Sequence, residues 1–196
     1  MKRRRGRPSI PKEVQRKRLV DATLRVIRQK RYETISVAAI VREAGMSSRS
    51  FYDHFVSKDD VVAEIVRERG QRLIGALEEI YRQSKSDQER ADRGLRAYLE
   101  LFPAGIVDLE RLGGEAGQRV REVRQQAVET ITDLVLEQYE RAHAAGNVAR
   151  VPHRAEVSVV LMGIEGLSFR YYSEGRRDGL LALHPVLLRL FLQALQ

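Results

Sequence analysis

Cysteine is missing from this 196-residue chain. Disulfides and thiolate metal sites are thereby excluded, and nothing argues for an oxidising compartment. Tryptophan is missing too, and aromatic residues make up only 6% of the whole. The longest apolar run, VVLMGI at 159–164, is far too short to cross a bilayer. The charged N-terminus has no apolar stretch behind it, so it does not read as a signal peptide, and the expected location is the cytoplasm. Common catalytic signatures are also lacking. There is no G-x-x-x-x-G-K, no G-x-S-x-G, no H-E-x-x-H and no G-x-G-x-x-G. GGEAG at 113–117 follows no predicted strand, and His143 and His153 stand ten apart across a helix stop, a poor metal pair. The expectation is a protein that is not an enzyme and needs no cofactor or metal.

What is present is positive charge, and it is unevenly placed. The formal net charge is +8. Residues 1–57 hold 15 Lys/Arg against 5 Asp/Glu, whereas residues 58–196 hold 20 against 22. All the excess therefore lies in the first 57 residues, a distribution suited to meeting a polyanion.

Hydrophobic residues are 43% of the chain, enough for a real core, and their spacing is helical. MKRRRGRPSIP reads as a flexible basic arm over 1–11. A first helix starts at Lys12, with Leu19, Ala22, Thr23, Val26 and Ile27 on one stripe. Ser36 is placed to cap a short helix over 37–44, and Gly45 to end it at positive φ. Ser47 is placed to cap a second short helix over 48–55. Ser57 and Asp60 then form a capping-box start for a long helix of about six turns. SKSDQ at 84–88 reads as a linker, followed by a helix that stops before Pro103. A short helix over 104–112 is expected to end at Gly113-Gly114, and a long one to run over about 117–145. Residues 155–172 are apolar almost all round and so should be buried on more than one side. SEGRRDG reads as a loop, and His184-Pro185 opens the last helix. The predicted class is all-α, with about nine helices, no strands and no repeats.

The functional signal lies in EAGMSSRSFYDHF at 43–55. Two short helices joined at Gly45-Met46 form a helix-turn-helix. With Phe51 and Phe55 turned inward, Arg49, Ser50 and Asp53 face outward on a helical wheel. The second helix of such a pair enters the major groove with its N-terminal residues at the base edges. Short serines let the backbone approach, and Arg49 can reach guanine or a phosphate. Glycine-joined helix pairs also occur in all-α proteins that bind no DNA. The basic arm and the charge split favour DNA here.

The stretch RYETISVAAIVREAGMSSRSFYDHFVSKDDVV resembles the DNA-binding domain of the TetR family of bacterial transcriptional regulators. That pattern is met by Ser36, Val37, Ile40, Ala44, Gly45, Met46, Ser47, Ser50, Phe51, Tyr52, His54, Phe55, Ser57, Lys58 and Asp59, and the match covers about 12–65. Val41, Ser50 and Val61 depart mildly, standing for Ala, Thr and Leu. The resemblance implies a regulator, most simply a repressor, released from a palindromic operator by a small-molecule effector. The alternative is a TetR-like protein that acts through a protein partner or as an architectural factor. The resemblance further implies that Ser47, Ser48, Arg49 and Ser50 meet bases and backbone, while Tyr52, His54 and Lys58 hold phosphates and Ser36 sits near one. Lys2, Arg3, Arg4, Arg5 and Arg7 either follow the minor groove or add counterion release. Asp53 either orients Arg49, accepts from cytosine N4, or forms a solvated surface pair with Arg49.

The implied domains are the arm at 1–11, the DNA-binding domain at 12–57 and an effector-binding and dimerisation domain at 58–196. In this family the last two long helices of each subunit form a four-helix homodimer interface. The apolar surface of 155–172 and 183–195 points the same way independently. Gly163 and Gly166 would allow close helix approach there. A dimer would read half-sites about 34–36 Å apart, or near a multiple of one turn. Effector-pocket candidates are Tyr98, Phe102, Glu110, Tyr139, Glu165 and Phe169, with Arg111 and Tyr172 beside them.

Overall fold

The computed structural model describes residues 10–27, 29, 32–101 and 114–194. These residues are all-α, and none of them forms a strand. Nine α-helices follow in order: α1 Lys12–Ile27, α2 Val37–Ala44, α3 Ser48–Tyr52, α4 Lys58–Gln83, α5 Asp87–Leu101, α6 Gly114–Ala144, α7 Arg154–Ser173, α8 Arg177–Ala182 and α9 His184–Ala194. A 3₁₀ turn at Tyr32–Thr34 precedes α2. The chain divides into two compact units, Met1–Ile65 and Val66–Gln196, with the boundary inside α4. The expected helix over 104–112 and the arm at 1–9 lie outside the described residues.

In the first unit, α1 buries the expected stripe of Leu19, Ala22, Thr23, Val26 and Ile27, together with Val20. The Thr23 hydroxyl donates to the Leu19 carbonyl (2.8 Å), so its burial leaves no orphaned polar group. Helix α1 packs on α2, and α2 on α3. Leu19, Ile40, Phe51, Val61 and Val62 are completely enclosed. Each such side chain contributes on the order of 1.5–3 kcal/mol through area removed from water.

Helix α3 is three residues shorter than the 48–55 expected. Its last turn tightens: the His54 amide donates to Phe51 three residues back (3.0 Å), and the chain then leaves toward α4. Helix α4 opens as expected on Ser57, whose hydroxyl accepts from the Asp60 amide (3.3 Å). The reciprocal bond differs from a standard capping box. The Asp60 carboxylate reaches the Val56 amide (3.2 Å), one residue before the cap.

The core of the second unit gathers Leu73, Leu77, Leu95, Leu99, Ile131, Val135, Leu161, Ile164, Leu180 and Leu187 from α4 to α9. Gly70 is where α4 meets α6, since a Cβ there would stand 3.2 Å from that of Ala127. Four expectations change. Helix α5 begins inside the supposed linker, because the Ser86 hydroxyl accepts from the Glu89 amide (3.1 Å) and Glu89 accepts from the Lys85 amide (2.9 Å). Helix α6 begins at Gly114 rather than near 117. Helix α8 forms where a loop was expected, because Leu180 is fully buried and Gly179 lets the Tyr171 ring approach, 3.1 Å from where a Cβ would stand. Finally, α7 buries one face, through Val157, Leu161, Ile164, Glu165 and Ser168, while Val159 and Met162 are exposed. Within one chain it is therefore not covered all round. Among the described residues no helix is long and apolar enough to cross a membrane.

Candidate nucleic-acid interface and an internal cavity

The two short helices of the first unit are built by local signals. Ser36 Oγ accepts from the Ala39 amide (3.2 Å) and caps α2. Gly45 then takes φ 65°, ψ 36°. Its amide donates to Arg42, and that of Met46 donates to Val41 (2.8 Å), the paired bonds of a Schellman stop. Ser47 Oγ accepts from the Ser50 amide (3.1 Å) and shares a hydrogen with Ser50 Oγ (3.0 Å), capping α3. The chain thus turns sharply from one helix into the next without leaving these helix-end groups unpaired.

Helix α3 has two faces. Phe51 is buried, with its ring 5.8 Å from that of Phe55, and the Arg16 guanidinium lies 4.9 Å above Phe55. Arg16 also pairs with Glu64. On the other face Ser47, Ser48, Arg49, Tyr52 and Asp53 are exposed and Ser50 is half-buried. Tyr52 packs edge-on against Phe51 at 5.4 Å, which holds its ring while 60% of the residue stays open to solvent. Among the described residues no ion pair joins Arg49 to Asp53. Asp53 caps the helix through its backbone, donating to the Arg49 carbonyl (3.0 Å).

His54 and Lys58 are more tied down than the sequence suggests. Gln15 Nε2 donates to the Ile10 carbonyl (2.7 Å), which turns its Oε1 toward His54 Nε2 (3.3 Å). That contact requires the proton on Nε2, so Nδ1 can donate to an anion only from an imidazolium. The Lys58 ammonium donates to the carbonyls of Tyr32 (3.2 Å) and Ile35 (3.0 Å) and stands 4.5 Å over the Tyr32 ring. The Tyr32 hydroxyl in turn donates to Asp59. Burial and this carboxylate push the Tyr32 phenol far above its ordinary range. Two of the three ammonium hydrogens are used inside the protein, leaving one for an outside partner. Sequence periodicity could not reveal this clamp, whose acceptors are backbone carbonyls in a preceding turn. The arm residues Lys2, Arg3, Arg4, Arg5 and Arg7 lie outside the described residues.

The second unit holds a half-open cavity of about 310 Å³ among α4, α5, α6, α7 and α9, with Asn147 and Val148 at its edge. Of the predicted pocket residues, Tyr98 and Tyr139 line it. Glu165 and Phe169 do not. Glu165 is buried against Arg124 (3.5 Å) and Phe169 packs on the core. Phe102, Glu110 and Arg111 lie outside the described residues. Tyr172 donates its hydroxyl to the Leu99 carbonyl (3.1 Å). Sequence reasoning missed Tyr81, Gln138, Asp87, Arg90 and Asn147, which also border the cavity. Burial pushes the Tyr81 phenol up to about 12, helped by the neighbouring Tyr139. It does the same to Tyr139, Arg150 acting the other way.

Residues 19–65 match the family model described as bacterial regulatory proteins, tetR family. The uncharacterized HTH-type transcriptional regulator YwcC of Bacillus subtilis is 35% identical over 78 residues, which are 38% of this chain and 35% of the relative. An uncharacterized HTH-type transcriptional regulator of Haemophilus influenzae is 36% identical over 69 residues, 35% of this chain and 34% of the relative. The chain thus spans about a third of the length of the curated relatives it matches. Solved structures match over more of the chain. The fatty acid degradation regulator FadR of Bacillus halodurans superposes with TM-score 0.76 at 17% identity, over 92% of this chain and 99% of the other. FadR of Bacillus subtilis, in complex with stearoyl-CoA, gives 0.74 at 18% identity, over the same shares. At such identities the likeness is one of fold.

Proposed function

We propose, from the premise that residues 19–65 belong to the tetR family of bacterial regulatory proteins, that the chain is a DNA-binding transcriptional regulator acting as a homodimeric repressor. The observation that carries the reading is α3. Phe51 fixes it from within, and Ser48, Arg49 and Tyr52 stand exposed along its length. Arg49 is the base reader, by a bidentate contact to guanine. Ser36, Ser47, Ser50, Tyr52, His54 and Lys58 hold backbone and phosphate, and the basic arm adds sequence-independent attraction. Asp53 is left as an acceptor for cytosine N4.

The homodimer forms through α7 and α9. Val159 (69% exposed), Met162 (62%) and Leu190 (54%) are large apolar side chains left open on these helices. Around Gly163 and Gly166 a Cβ would meet nothing, so a second helix can come close. Two copies would present two recognition helices to a palindromic site.

The cavity of the second unit holds a small-molecule effector. The stearoyl-CoA complex of the similarly folded Bacillus subtilis FadR supports a ligand role for this kind of fold. To release DNA, the effector must bind the conformation with mis-spaced recognition helices more tightly than the DNA-bound one. A gel-shift and footprint on DNA flanking the gene test the reading. A compact two-fold footprint, lost on adding a ligand that raises Tm, is expected. Protection scattered without symmetry, with no releasing ligand, would instead favour an architectural factor.

A further inference from the structure

The lining of the cavity constrains what can occupy it. Among the described residues that line it, the formally charged side chains are Asp87 and Arg90. They are paired with each other. Arg90 Nε donates to the Tyr81 carbonyl (3.3 Å) and Nη2 to that of Ser84 (3.4 Å). The other Asp87 oxygen accepts from Asn147 (2.8 Å). Each charge thus already has a charged partner, and a bare ion placed against the apolar remainder of the wall would lose hydration with no counter-charge to offset it.

Gln138 differs from that closed set. Its Nε2 donates to the Leu134 carbonyl (3.4 Å), which fixes which end of the amide is nitrogen. Its Oε1 is buried and accepts no hydrogen bond. A buried acceptor in that state has given up its hydration for nothing in return. Gln138 is a lining residue, and its Oε1 is a side-chain acceptor there with no partner of its own.

We propose that the ligand of this cavity is an uncharged, mostly apolar molecule whose hydroxyl or N–H donates to Gln138 Oε1. The inference rests on the ligand-binding reading above and narrows it to one chemistry. A volume of about 310 Å³ is at the small end of ligand sites, enough for a fused two-ring body. Tyr81 and Tyr139 are held as neutral phenols, so they add polar contacts and no charge.

Three probes of one shape test this on the full chain by calorimetry and thermal shift at neutral pH: 2-naphthol, 2-methoxynaphthalene and 2-naphthoate. The expected result is 2-naphthol binding at least about tenfold tighter than the ether, which lacks the donor, and tighter than the anion by as much or more. In Gln138→Leu the naphthol should fall to the level of the ether, with the ether unchanged. Equal binding of naphthol and ether, or naphthoate binding as well as naphthol, overturns the inference, and neither comparison needs a variant to fold. Failure of the underlying reading looks different: no probe binds at all, or all bind equally well to Ala142→Leu, whose added bulk fills the cavity.

Discussion

Arg49 and Lys58 are both basic residues of the first unit, yet they stand in different states. Arg49 is exposed, whereas the ammonium of Lys58 already donates to Tyr32 and Ile35. Arg49→Ala should therefore reduce discrimination between the operator and a mutated half-site by about 1–3 kcal/mol, leaving Tm unchanged. Competition gel shifts at one salt concentration read the first quantity and calorimetry the second. Lys58→Met should do two things at once. The salt slope of DNA binding shrinks by about one ion, and stability falls by about 1–3 kcal/mol as two carbonyls lose their donor. An unchanged Tm would refute the clamp, and an unchanged slope the phosphate contact. Glu165 gives a pH signature. Burial raises its carboxyl above the ordinary range, and Arg124 offsets this only in part. A carboxyl raised on folding binds its proton more tightly in the folded chain. The stability it contributes is full below the unfolded value and lost as pH rises through the folded one. Glu165→Gln should thus melt higher than the parent at pH 7, and the gap should close as both approach about pH 4.

At the scale of elements, Gly45 isolates a backbone effect. A Cβ there would meet no atom within 4 Å, so the cost of a side chain is the left-handed backbone alone. Gly45→Ala should cost about 1–2 kcal/mol in urea unfolding, and Gly45→Asn visibly less. This turn was fully legible in the sequence because its causes are local: a serine cap, a small residue and a glycine stop within a dozen positions. The two faces of α3 were legible for the same reason, since Phe51 and Phe55 fix the phase of the helix. Helix α8 was not, because its cause is tertiary: Leu180 inserts into the core beneath a turn-like composition, and Tyr171 fits against Gly179. The start of α5 was hidden in a paired cap, the Ser86 hydroxyl on the Glu89 amide and the Glu89 carboxylate on the Lys85 amide, that polar composition disguised as a linker. In the cavity, helical phase decides which predicted residues face it. Leu161 and Ile164 of α7 reach the cavity, while Glu165, next in sequence, turns toward Arg124.

For the molecule as a whole, the uneven charge and the exposed apolar side chains of α7 and α9 are what support the two partners proposed above. The first 57 residues carry all the excess positive charge, suited to DNA, while Met162 and Leu190 stand exposed in the nearly neutral remainder. Met162→Glu combined with Leu190→Glu should convert the proposed dimer into a monomer in sedimentation velocity at micromolar concentration. Operator affinity should fall with it, because one recognition helix reads only half a site. If the double variant sediments as a dimer, the interface lies elsewhere.

The cavity wall has a spectroscopic consequence. The chain contains no tryptophan, so its near-ultraviolet emission comes from seven tyrosines. Three of them, Tyr81, Tyr98 and Tyr139, border the cavity. All three have their phenols pushed upward, by burial first, and stay protonated at neutral pH. An occupant that absorbs where tyrosine emits would sit beside nearly half of the chain's fluorophores. The unlabelled protein therefore carries its own indicator, in which filling of the cavity dims the intrinsic emission in proportion to the fraction bound.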